Sequence, residues 1–220
     1  MNKLNQTLLK FELEQNFTYD DYFVSKCNYF AFNLIESWPK WEKNILNIYG
    51  EKFSGKSHLS EIFRKKNNAI IIKTDEINEE FLKKMRFHEN IILDNLDYIS
   101  EEKILYTIIN FTEQFNKYLI INSTQPINSI NFALPDLKSR LKNCIFAKIE
   151  KPDDEMIFAL VLKHFSDRQI KIEKKIIEYI TKRIERSYGK ILDFIYKLDQ
   201  FSLINKKSID YKVIKKILEE

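Results

Sequence analysis

Five short apolar runs punctuate the first two thirds of the chain: 45–49 (ILNIY), 69–73 (AIIIK), 90–94 (NIILD), 118–122 (YLIIN) and 144–149 (CIFAKI). Each is bounded by polar or turn-forming residues and is too short for a buried helix, which predicts strands covered on both faces. Amphipathic stretches fill the gaps and predict helices over 56–66, 76–85, 101–116 and 134–141. Strand–helix alternation of this kind predicts a five-stranded parallel sheet with right-handed crossovers. Ahead of the first strand, the aromatic segment 17–24 (FTYDDYFV) reads as extended, and Ser25 is placed to cap a helix over 26–37. Beyond Pro152 the pattern becomes purely helical, over 153–168, 173–186, 189–203 and 208–220. The expected division is therefore a tail at 1–14, an α/β domain at 15–151 and a small helical lid at 152–220.

Composition fits this division. A chain of 220 residues, 44% hydrophobic and 31% charged, is long enough for one α/β core with an appendage. With three glycines and four prolines, most residues should lie in regular elements. The 36 basic and 32 acidic residues are interspersed, so the net charge of +4 marks out no nucleic-acid-reading face. Cys27 and Cys144 have neither C-x-x-C spacing nor a histidine at ligand spacing, which predicts buried free thiols in a reducing cytoplasm and no metal cluster. No apolar run approaches membrane-span length, and no cleavable leader is recognisable, so a cytoplasmic chain with no membrane partner is expected.

The candidate chemistry begins at the end of the first strand. Gly50, Gly55, Lys56 and Ser57 match G-x-x-x-x-G-K-[ST] between a strand and a helix, the context in which this motif binds phosphate. Backbone N–H groups and the helix N-terminus would converge on phosphate oxygens, with Ser54 and His58 flanking the lysine and serine. Lys56 would reach the β- and γ-phosphates of ADP or ATP, and Ser57 would offer an oxygen to Mg²⁺. Phe53 stands where many such loops carry glycine. Asp94, ending the third strand, is the expected second Mg²⁺-directed oxygen. Asn95 follows it where an acid would polarise water; an amide is no general base, so intrinsic hydrolysis should be slow or absent, with Asp97 the nearby substitute. Thr124, just past the fourth strand, is placed either to reach a γ-phosphate or to cap a turn before Pro126. Phe23, Val24 and Asn28 would wall an adenine ring, although core packing explains them nearly as well. In the tail, Gln6, Leu9 and Phe11 have the Q-x-x-L-x-F spacing of peptides that dock on the sliding clamp; an edge strand packed on its own domain is the alternative.

Taken together, FVSKCN before the first strand, LPDLKSRL before the fifth, and a helical lid resemble the AAA+ initiator family of bacterial DnaA. The stretches ESWPKWEKNILNIYGEKFSGKSHL, LDNLDYI, LPDLKSRL and RIERSY are closer still to the Hda branch of that family. The resemblance implies a clamp-binding peptide at the N-terminus and no DNA-binding domain beyond the lid. It further implies a regulator that promotes hydrolysis of DnaA-bound ATP, with the β sliding clamp and DnaA as partners, a homodimer left open, and no direct sequence-specific DNA binding. Arg140 matches the arginine that acts in this family as a finger across a subunit interface; a surface ion pair is the alternative. The lid cation that contacts nucleotide in the family would fall near Gly189 or Lys190, so that contact is either supplied by Lys190 or Arg186 or missing. A remodelling P-loop ATPase and a truncated initiator are the competing readings.

Overall fold

The computed structural model describes residues 17–96, 102–168, 172–205 and 211–219. Among these, five parallel strands form one sheet: β1 (Ile45–Tyr49), β2 (Ile70–Lys73), β3 (Asn90–Asp94), β4 (Tyr118–Ser123) and β5 (Ile145–Lys148), in the spatial order β2-β3-β4-β1-β5. The expected parallel α/β architecture is the observed one. Helices α1 (Tyr29–Glu36) and α2 (Lys56–Asn67) cover one face, while α3 (Glu79–Lys84), α4 (Glu102–Gln114) and α5 (Pro135–Leu141) cover the other. Strand alternation divides the core accordingly. Ile45, Ile91, Leu93, Leu119 and Ile121 face α3 to α5, and Leu46, Ile48, Ile92, Ile120 and Ala147 face α1 and α2. Both faces are buried, which is why these strands read as continuous apolar runs.

The lid comprises α6 (Asp154–Asp167), α7 (Lys174–Thr181), α8 (Tyr188–Asn205) and α9 (Tyr211–Glu219). It has its own core of Ile157, Val161, Phe165, Ile177, Ile180, Ile191, Phe194, Leu198 and Ile214. Met156 and Tyr188, by contrast, are buried in the cluster beneath α1, so both lid helices that begin next to the α/β domain are anchored in it. Asp153 is the cap of α6: its carboxylate accepts from Met156 N at 2.8 Å.

Several element boundaries differ from expectation, each for a local reason. The helix expected from residue 26 begins at Tyr29 because Asn28 Oδ1 accepts the Ser25 N–H (2.9 Å) and its amide donates to Phe23 O (2.9 Å), holding residues 26–28 in a turn. The segment read as extended at 17–24 contains a turn in which Thr18 Oγ1 donates to Asp21 Oδ2 (2.6 Å) and Tyr22 N to Tyr19 O (3.1 Å). The helix expected at 76–85 is broken: Asn78 caps α3 by accepting from Phe81 N at 2.9 Å, and 3₁₀ turns flank the helix on both sides. The seventh helix stops at Thr181, five residues short of the expected 186.

Candidate functional site

Because β4 lies between β1 and β3, the loops leaving β1 and β3 open on the same end of the sheet across one strand. Two backbone features shape the first of them. A Cβ on Gly50 would sit 2.6 Å from Ile149 O, and Gly55 has φ +91, so both positions require glycine. Phe53 adopts φ +66 without being glycine, and the residue is 68% exposed. The loop thus bears a left-handed phenylalanine immediately before the buried Ser54.

The Lys56 ammonium donates to Gly50 O and Glu51 O, each at 2.8 Å, and approaches Ser54 Oγ at 3.4 Å. It is therefore held over the loop that would receive phosphates. One residue on, Ser57 Oγ donates to Asp94 Oδ1 at 3.1 Å. Asn122 Nδ2, from the intervening β4, donates to the same carboxylate oxygen (2.8 Å) and to Ser60 Oγ (2.8 Å). A hydroxyl and a carboxylate at hydrogen-bond distance are hard oxygen donors of the kind Mg²⁺ takes, so the residues present fit that ion. Asn95, after the carboxylate, sits at φ +65 with its carbonyl accepting from Thr74 Oγ1 (2.8 Å). Thr124 is half-buried, one residue beyond the end of β4.

Beside the loop, a cleft of about 1070 Å³ runs between the α/β domain and the lid, lined by Phe23, Val24, Asn28, Phe53, His58, Met156 and Tyr188 among others. Its volume accommodates a nucleotide-sized ligand. Asn28 lines it, but its side chain is engaged in the turn described above. His58 Nε2 lies 2.8 Å from Thr18 O, and burial holds its imidazole below the ordinary 6.5. Burial likewise raises the Tyr188 phenol above its ordinary range, assisted by the adjacent Cys27 thiol, whose Sγ is 3.2 Å from the hydroxyl. The Glu51 carboxylate accepts from the Ser187 hydroxyl and from Tyr188 N (3.2 Å), at the start of α8.

Arg140 lies on α5, on the sheet face opposite α1 and α2, and is not among the residues lining the cleft. Its guanidinium pairs with Glu113 of α4 and sits 5.7 Å from the centre of the Tyr106 ring. Gln6, Leu9, Phe11 and Asp97 fall outside the described residues. Sequence reasoning missed Glu51, Asn122 and Glu113 as site residues. Asn122 alone carried a signal, as the polar end of an otherwise apolar strand.

The chain aligns over its whole length, at 26% identity, with the chromosomal replication initiator DnaA of Caldanaerobacter subterraneus subsp. tengcongensis, covering 55% of that protein. It is 22% identical to DnaA of Helicobacter pylori, again over its whole length and 53% of the relative. The chain thus spans about half the length of the curated relatives it matches. Residues 153–218 match the family model described as the Hda lid domain. The chain is similar to DnaA throughout and to Hda in its lid. Its fold agrees. Domain III of Thermotoga maritima DnaA superposes with a TM-score of 0.74 at 17% identity, covering 93% of this chain and 96% of that one. AMPPCP-bound DnaA from Aquifex aeolicus gives 0.69 at 17% identity over 86% of this chain and 66% of that one. The chain also shares the fold of the Thermotoga maritima RuvB branch-migration motor, at a TM-score of 0.59 and 14% identity over 80% of this chain and 61% of that one. No helix among the described residues is long and apolar enough to cross a membrane.

Proposed function

We propose that this chain is a cytoplasmic nucleotide-binding regulator of chromosome replication initiation which, docked on the sliding clamp, promotes hydrolysis of ATP held by DnaA. The observation that carries this reading is the joining of an Hda-type lid to a phosphate loop whose Ser57 and Asp94 meet at 3.1 Å. Gly50, Ser54, Gly55, Lys56, Ser57 and His58 would receive the phosphates of ADP or ATP, and Ser57 with Asp94 would hold Mg²⁺. Binding of AMPPCP by the Aquifex aeolicus neighbour supports a nucleotide in this cleft. With Asn95 after the Asp94 carboxylate, the bound nucleotide turns over slowly and acts as a structural element.

Arg140 is the proposed finger. Its place on α5, away from the chain's own cleft, suits action on a nucleotide held by another subunit, where a guanidinium neutralises charge developing on the transferred phosphoryl group. Gln6, Leu9 and Phe11 would supply the clamp-docking peptide.

The test is hydrolysis of DnaA-bound ATP with DNA-loaded clamp, adding the wild type, Arg140→Ala, or Gln6→Ala combined with Leu9→Ala. Stimulation that collapses in both variants supports finger and peptide together. A folded wild type that stimulates nothing, but hydrolyses ATP itself at about 1 per second, the low end of enzyme rates, would favour a remodelling ATPase instead.

A further inference from the structure

Among the described residues, the Glu51 side chain joins the phosphate loop to the lid. Glu51, the residue after Gly50, turns its carboxylate out of the loop to accept from the Ser187 hydroxyl and the Tyr188 N–H. Tyr188 is the first residue of α8, an 18-residue helix whose opening N–H groups have no partner within the helix. An anion there is also favoured by the helix dipole. The same residue's peptide carbonyl accepts from the Lys56 ammonium at 2.8 Å, so Glu51 bonds the phosphate lysine with its backbone and the lid with its side chain.

A second tie reinforces the position. Tyr188 is buried beneath α1 with its hydroxyl against Cys27 Sγ, and Cys27 N donates to Asp153 Oδ2 at 3.3 Å, at the cap of the first lid helix. These contacts fix where the lid is rooted. The Glu51 bonds join the loop that carries Phe53 and Ser54 to the helix that begins with Tyr188, and those three residues line the cleft.

We propose that Glu51 is a positioning residue that holds the lid closed over the nucleotide site. In this arrangement the link between loop and lid is made by the protein itself and does not await a ligand's terminal phosphate. Nucleotide leaves when the Glu51 bonds to Ser187 and Tyr188 break, so the carboxylate sets the exchange rate. The proposal rests on the nucleotide-binding reading above.

The experiment pairs two measurements on wild type, Glu51→Gln and Glu51→Ala: amide exchange of Tyr188 in the ligand-free protein, and release of a fluorescent N-methylanthraniloyl-ADP by stopped flow. Glutamine keeps one acceptor oxygen for the Tyr188 N–H and can donate its amide to the Ser187 hydroxyl, but drops the charge; alanine removes both bonds. The expected result is faster Tyr188 exchange and about tenfold faster release in Glu51→Ala, with Glu51→Gln within about threefold of wild type, as loss of charge-assisted hydrogen bonds dictates. Unchanged Tyr188 exchange in Glu51→Ala would overturn the latch. Faster exchange with unchanged release would show the lid joined but not gating, and would overturn the positioning role, as would a Glu51→Gln variant as defective as Glu51→Ala. A wild type that binds no nucleotide while Tyr188 remains protected through Glu51 would instead remove the nucleotide reading, and the gating role with it.

Discussion

If Arg140 serves a neighbouring subunit, it must first leave its own. Its guanidinium is paired with Glu113 and lies over Tyr106. Replacing Glu113 by glutamine removes the competing charge and leaves the side chain's size unchanged. The pair's side chains are 38% and 34% exposed, so solvent screening limits it to about 0.2–1 kcal/mol. The ring contributes about 0.5–1 kcal/mol more at such a site, and it remains in the variant. Releasing the ion pair should therefore raise the population of available Arg140 by a factor of roughly 1.4 to 5, at about 1.4 kcal/mol per tenfold. Hydrolysis of DnaA-bound ATP would be followed against the concentration of this chain. Glu113→Gln should lower the half-stimulating concentration by that factor and leave the saturating rate unchanged, because the docked geometry is the same in both proteins. A lower saturating rate, or an unshifted midpoint, would refute the competition and show that Glu113 either belongs to the docked interface or does not restrain the arginine.

Removing the Ser57 hydroxyl with Ser57→Ala should weaken Mg²⁺-dependent nucleotide affinity by about tenfold while leaving metal-free binding nearly unchanged, since one of two hard oxygens is lost; titration calorimetry with and without Mg²⁺ separates the two. Phe53→Gly relieves about 1–2 kcal/mol of left-handed strain but gives back about 0.5–1 in chain entropy. The net gain of about 0–1.5 kcal/mol should raise Tm by up to about 6 °C for a protein of this size, and a lower Tm would contradict the strain. Burial pushes the Cys144 thiol up to about 12, while the unfolded chain ionises near the ordinary 9.0. Above pH 9 the unfolded state sheds a proton that the folded state keeps, so stability should fall as pH climbs from 9 toward 12, and Cys144→Ala should flatten that part of the profile in denaturant titrations. His58 and His164 are held below 6.5, chiefly by burial, so stability should also decline as pH drops through 6.5 and the unfolded histidines charge first.

What could be read in advance was whatever is encoded in contiguous residues. The sheet was legible because strands buried on both faces leave unbroken runs such as IILD, and the phosphate loop because glycine, lysine and serine must be neighbours to work. The start of α1 was not legible. Asn28 bonds backward to Ser25 and Phe23, and a short polar side chain's choice between capping a helix and closing a turn is decided by tertiary packing. Glu51 occupies a position that the loop motif leaves unspecified, and its partner Ser187 is 136 residues away. Arg140 was visible through its motif, but Glu113 was one acid among many on an amphipathic helix until the fold brought α4 and α5 together.

Asn95 has one more consequence, which concerns mutation. Its backbone is left-handed, a conformation that asparagine and aspartate both tolerate better than most residues and glutamate does not. Asparagine and aspartate codons differ by a single base. The position therefore accommodates a carboxylate beside Asp94 without rebuilding the turn, and on the function proposed above Asn95→Asp is a one-base change that would move the site from holding nucleotide toward hydrolysing it.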